Sequence, residues 1–89
     1  MMNDLQLLAW CDATLRYAKS NTGIRGISFN NQRSMYAVRY NKEYLGEEGW
    51  LESAFEVLVK AYGLYLTANQ QSLAINYLTG GNDDFKAFA

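Results

Sequence analysis

The chain has 89 residues, a net charge of −1, one cysteine and no histidine. At this length a single domain with a modest core is expected. Without histidine, and with Cys11 alone, one chain can build no intrachain disulfide, none of the usual zinc ligand sets and neither Ser-His-Asp nor Cys-His catalysis.

Hydrophobic content of 49% is ordinary for a globular protein, and proline is absent, so every break must come from Gly, Asn or Ser. The start of the chain lacks a basic stretch followed by an apolar run, and no apolar stretch reaches about 18 residues. A soluble, cytoplasmic protein without membrane contact is expected. Nothing calls for a cofactor.

In chain order, Asn3 or Asp4 can cap a helix expected over residues 4–21, because a short side-chain oxygen accepts a free N–H of the first turn. Leu5, Leu8, Cys11, Leu15 and Ala18 recur at helical spacing, with Leu7 and Trp10 widening the stripe. Arg16 and Lys19 fall in the last turn of this reading, and Gly23 serves as the stop. Cys11 reads as a small buried hydrophobe rather than a nucleophile.

A three-stranded antiparallel sheet follows over residues 24–46. Ile24 to Phe29 forms its first strand, with Ile27 and Phe29 on one face and Gly26 marking a bulge or a close approach of backbone. A polar loop, Asn30 to Ser34, leads to a second strand, Met35 to Tyr40, with Tyr36, Val38 and Tyr40 on one face and Met35, Ala37 and Arg39 on the other. Asn41-Lys42 reads as a tight turn into a short third strand that Gly46 closes.

Such a sheet needs a cover. Trp50, Leu51, Ala54, Phe55, Leu58, Val59, Tyr62 and Leu66 supply one as the stripe of a packing helix over residues 48–68, with Glu47 and Glu48 at its positive end. Gly63 weakens that helix or marks close packing. Asn69 to Ser72 interrupts the pattern, a short C-terminal helix follows over residues 70–79, and residues 80–89 form a loose tail in which Phe85 and Phe88 dock or fray. The expected fold class is therefore α+β: N-terminal helix, three-stranded antiparallel sheet, long packing helix, short C-terminal helix.

Charge is polarised along this order. Residues 1–15 carry −2, residues 16–42 carry +6 without a single acid, and residues 43–89 carry −5. A block of this kind points to one positive face and an anionic partner, although six cations can also simply solvate a small sheet.

The central block resembles the AP2-type DNA-binding domain, a three-stranded sheet packed on one helix, and is similar to the related small folds of phage integrase N-termini and homing-endonuclease appendages. Arg25-Gly26-Ile27 looks like that family's Arg-Gly-Val, Tyr36-Ala37-Val38-Arg39-Tyr40 like its Trp-x-Ala-x-Ile strand, and Leu45-Gly46 like the pair that ends its third strand. Ala54, Ala61 and Tyr62 resemble the small and aromatic residues of its helix. The resemblance covers roughly residues 23–66. It implies double-stranded DNA as partner, with strands in the major groove, whose width of about 12 Å admits a two-stranded ribbon. Arg25 and Arg39 would then face guanine edges, Lys42, Arg33, Arg16 and Lys19 would touch phosphates, and Asn30 and Asn31 would meet an adenine edge or a phosphate.

Plainer readings stand beside these. Arg25 and Arg39 can be solvated cross-strand residues, and Tyr36 and Tyr40 can be packing residues rather than stacking platforms. Glu48, Glu52 and Glu56 form one helical stripe that is solvated or docks a basic partner. No nucleophile or metal set accompanies these carboxylates, so no enzyme is expected. The alternative class is a small phage- or prophage-type protein that binds and modulates a host protein complex through an aromatic and acidic surface, for which seven tyrosines suit. A homodimer is compatible with the sequence, which does not fix the oligomeric state.

Overall fold

The computed structural model describes residues 2–80. The expected tail, with Phe85 and Phe88, lies outside the described residues except for Gly80.

Asn3 starts the first helix, α1 (Asp4–Trp10), through a reciprocal cap: its Oδ1 accepts the Gln6 N–H at 2.8 Å, and the Gln6 side chain accepts the Asn3 N–H at 3.0 Å. The helix does not reach residue 21. It widens into a π-helical turn, Cys11–Leu15, closed by the Arg16 N–H on the Cys11 carbonyl at 2.9 Å, and ends there. The chain then doubles back. Arg16 pairs with Ile24 as an isolated antiparallel bridge, and the Arg25 N–H donates to the Leu15 carbonyl at 2.7 Å. Arg16 and Lys19 thus lie beyond the last helical turn, and Gly23 belongs to the returning loop. The buried row is Leu7, Cys11 and Leu15, four residues apart, while Leu5 is 80% exposed.

The sheet contains β1 (Ile27–Asn30), β2 (Met35–Tyr40) and β3 (Glu43–Glu48) in that order, antiparallel throughout. Strand β1 begins later than expected because Gly26 (φ 94°) turns the chain just before it. A Cβ at Gly26 would lie 2.6 Å from the Arg39 carbonyl oxygen and 3.1 Å from Leu58, so the glycine marks a close approach of backbone. Ile27, Tyr36 and Val38 are buried, and Phe29 and Tyr40 half-buried, on the inner face, as their alternation predicts. Asn41 and Lys42 both take positive φ, 51° and 68°, and form the two-residue turn between Tyr40 and Glu43.

Strand β3 is longer than expected. It runs through Gly46 to Glu48, with Leu45 inserted as a bulge between the pairs Arg39–Tyr44 and Val38–Gly46. Glu47 and Glu48 are therefore strand residues and not the first turn of a helix. The outer edge of β1 is sealed by the returning loop: Asn21 Nδ2 donates to the Phe29 carbonyl at 2.8 Å and its Oδ1 accepts the Phe29 N–H at 2.9 Å. Ser20 and Thr22 hydroxyls both donate to the Ile27 carbonyl. An edge satisfied in this way offers no ladder to another chain.

The cover is α2 (Leu51–Ala61), which buries Leu51, Ala54, Phe55, Leu58 and Val59 against the sheet's inner face. It is shorter than the expected helix because Gly63 (φ 84°) ends it. The Leu64 N–H donates to the Val59 carbonyl at 2.9 Å and the Gly63 N–H to the Lys60 carbonyl at 2.9 Å, the two bonds of a Schellman motif. An extended connection, residues 64–67, leads to α3 (Ala68–Leu78), where Thr67 and Gln70 cap each other as Asn3 and Gln6 do. Residues 69–72 are thus the first turns of a helix and not an interruption. Helix α3 packs against α2, α1 and the π-helical turn, burying Ala74, Ile75 and Leu78. The class is α+β, and no helix among the described residues is long and apolar enough to cross a membrane.

Candidate nucleic-acid interface

The eight side chains singled out from the sequence do not share one face. Arg16 is tied to its own chain: its Nε donates to Asp12 Oδ1 at 2.6 Å, and its guanidinium lies 4.9 Å from the Tyr77 ring centre. Arg33 reaches from the β1–β2 hairpin to Glu47 at 2.8 Å. Glu47 sits opposite Ala37 and is only 18% exposed, which sets a carboxylate on the sheet's outer face. Asn30 spends its side-chain oxygen on the N–H groups of Gln32 and Arg33, at 3.0 and 3.2 Å, shaping the hairpin turn. Asn31 is exposed in that same turn.

The remaining four cations gather at the other end of the sheet. Arg25 precedes β1 and Arg39 is near the end of β2; their main chains touch where the Arg39 N–H donates to the Gly26 carbonyl at 2.8 Å. Lys42 lies in the β2–β3 turn, and Lys19 in the loop that seals β1. Among the described residues no carboxylate lies within 4.0 Å of any of these four.

Each of the two arginines is seated on a tyrosine. The Arg25 guanidinium lies 4.2 Å from the Tyr17 ring centre, and that of Arg39 lies 5.2 Å from Tyr44, its cross-strand partner. Such contacts contribute about 0.5–1 kcal/mol at exposed sites and hold the cation without neutralising it. Arg39 shares the outer face with Ala37 and Tyr44, whereas Arg25 precedes β1 and lies over Tyr17 of the returning loop, and its charge acts to lower the pKa of Tyr62. Burial and the neighbouring Tyr40 outweigh that effect and raise the Tyr62 pKa overall. Tyr62 in turn packs edge-on against Tyr40 and Trp10, at 4.7 and 5.3 Å between ring centres.

Tyr17, Tyr44 and Glu47 are the residues that sequence reasoning missed. The pairing of Arg39 with Tyr44 follows from the two-residue Asn41-Lys42 turn, and the bulge at Leu45 shifts the register only beyond it, which brings Glu47 opposite Ala37. Tyr17 lies eight positions before Arg25, and only the returning loop brings them together. Cys11 is buried, and burial pushes its thiol up to about 11, which disfavours the reactive thiolate. Among the described residues no group of acidic, Cys or His side chains could hold a metal ion. Compared with known protein families, curated proteins and solved structures, the chain matches none.

Proposed function

We propose that this protein is a small, non-enzymatic DNA-binding module whose contact surface is the cationic end of the sheet. The observation that carries the reading is the separation of its cations into two kinds: Arg16 and Arg33 are paired with Asp12 and Glu47, whereas Lys19, Arg25, Arg39 and Lys42 have no carboxylate within 4.0 Å among the described residues. From the edge of β1 to the β2–β3 turn is two strand spacings, about 10 Å. Over that length a duplex presents about six phosphates. Arginines held over tyrosine rings lose less freedom on binding, which favours contact with a fixed row of phosphates.

The reading differs from the groove-reading geometry that the AP2-type resemblance implies. Arg39 lies on the outer face of β2 but Arg25 sits outside the strands, over Tyr17, and Glu47 would lie against the duplex if the outer face entered the groove. Backbone contact, weakly dependent on base sequence, is the form of binding that suits such a surface. The test is a titration of a duplex of mixed sequence across a salt series. The logarithm of affinity should fall against the logarithm of salt with a slope of about −0.9 for each phosphate neutralised, so three or four contacts give a slope near −3. Affinity that is absent at low salt, or independent of salt, rejects the proposal.

A further inference from the structure

Away from the sheet, α2, the connection 64–67 and α3 enclose two adjoining depressions of about 240 and 290 Å³. Both are lined by Glu56, Leu66 and Gln71, so they form one continuous trough. Its floor is apolar, from Val59, Leu64 and Leu66, and its rim on α2 carries Glu52 and Glu56. Tyr65, which is 73% exposed, stands at one end.

We infer that this trough docks an extended segment of a partner protein bearing Lys or Arg at alternate positions. Three observations converge on that occupant. Glu52 and Glu56 are four residues apart on one helix, about 6 Å at 1.5 Å per residue. That matches the roughly 6.6 Å between alternate side chains of an extended chain. The opposite wall is itself extended: the main-chain N–H and C=O groups of Tyr65 and Leu66 make no hydrogen bond with the described residues, and so are open to a second extended strand. Finally, the rim is negative where the floor is apolar, which suits long side chains that lay aliphatic stems on the floor and end in a cation. Lys60 holds Glu56 at 3.3 Å, but both side chains are about half exposed, and an incoming cation exchanges with such a pair at little cost. A second copy of the chain is a poor occupant, because its two tightest runs of basic residues, Arg16 to Arg25 and Arg33 to Lys42, are folded into the returning loop and the sheet.

The trough is built from α2, the connection 64–67 and α3 and includes none of Lys19, Arg25, Arg39 or Lys42, so it is separate from the proposed DNA contact. The experiment is a titration of the isotopically labelled protein with the peptide Lys-Val-Lys-Val-Lys, followed by amide chemical shifts, with Glu-Val-Glu-Val-Glu as control. Saturable shifts at Glu52, Glu56, Tyr65, Leu66 and Gln71, seen with the basic peptide alone, support the inference. A Glu52→Lys, Glu56→Lys variant should then bind about tenfold more weakly or worse, with the amide spectrum of the sheet unchanged. No shift at millimolar peptide overturns the inference, as do shifts centred on Glu43, Glu47 and Glu48. Concentration-dependent broadening of the trough residues without peptide would assign the site to a second copy and equally overturn it.

Discussion

The Tyr77 hydroxyl donates a 2.6 Å hydrogen bond to Asp12 Oδ2, joining two residues 65 positions apart. Arg16 completes the cluster from the other carboxylate oxygen, and its guanidinium also reaches the Tyr77 carbonyl at 3.5 Å. This is a polar clasp between the π-helical turn and α3, on the solvent side of the core that Cys11, Leu15 and Leu78 form.

The clasp has a pH signature. The Tyr77 hydrogen bond first, then Arg16, holds the Asp12 carboxyl below its usual range. A carboxylate whose folded pKa is depressed contributes stability above its unfolded pKa, and that contribution disappears as pH falls through the folded value. The stability difference between the parent and Asp12→Asn should therefore be full at neutral pH and vanish in strong acid. Thermal melts over a pH series read it directly. A carboxyl titration of Tyr77→Phe should show the Asp12 pKa moving back upward.

Phe55 is fully buried between α2 and the sheet. Phe55→Ala should cost about 3–5 kcal/mol, the range for deleting a buried aromatic ring. Chemical denaturation measures it, and a loss below about 1 kcal/mol would mean that α2 is not the cover of this sheet.

Gly26→Ala should destabilise by on the order of 1–3 kcal/mol or more. The φ of 94° is strained for any L side chain, and the new methyl would meet the Arg39 carbonyl at 2.6 Å. Because that carbonyl belongs to the central strand, it cannot yield without shifting the β1–β2 register. Gly49→Ala, where nothing among the described residues lies within 4 Å, is the control.

On the DNA reading, single alanine variants should divide along the ion pairs. Arg25→Ala, Arg39→Ala and Lys42→Ala should each weaken duplex binding and reduce the salt slope by about one. Arg16→Ala and Arg33→Ala should leave affinity nearly unchanged, since their charges already have partners. Equal losses at all five positions would show that net charge alone governs binding.

Cys11 should react slowly with thiol reagents. Its pKa of about 11 leaves little thiolate at neutral pH, and its side chain is fully buried. Labelling rates with and without denaturant should differ by orders of magnitude.

How far local sequence carries the fold can be seen residue by residue. The alternation of Ile27 with Phe29, and of Tyr36 with Val38 and Tyr40, assigned the inner face of the sheet, because side chains on a strand point to opposite sides in turn. The spacing of Leu51, Ala54, Phe55, Leu58 and Val59 assigned the covering face of α2 for the analogous helical reason. Thr67-Ala68-Asn69-Gln70 carried a capping-box signature, and Gly63 a stop signal, that the longer expected helix passed over. Those boundaries were legible in the chain.

The candidate surface was legible only as a composition. Sequence alone determined that six cations lie between residues 16 and 42, that no histidine is present and that one amphipathic helix must cover the strands. Tertiary structure decided which cations are neutralised, because Glu47 comes to Arg33 across the sheet and Arg25 comes to Tyr17 through a returning loop. It also decided the bulge at Leu45, which sets Glu47 opposite Ala37 on the outer face. Periodicity and capping are interactions between near neighbours in the chain, so they are written in it. The partner of a charge is a neighbour in space, and only the packed fold supplies one.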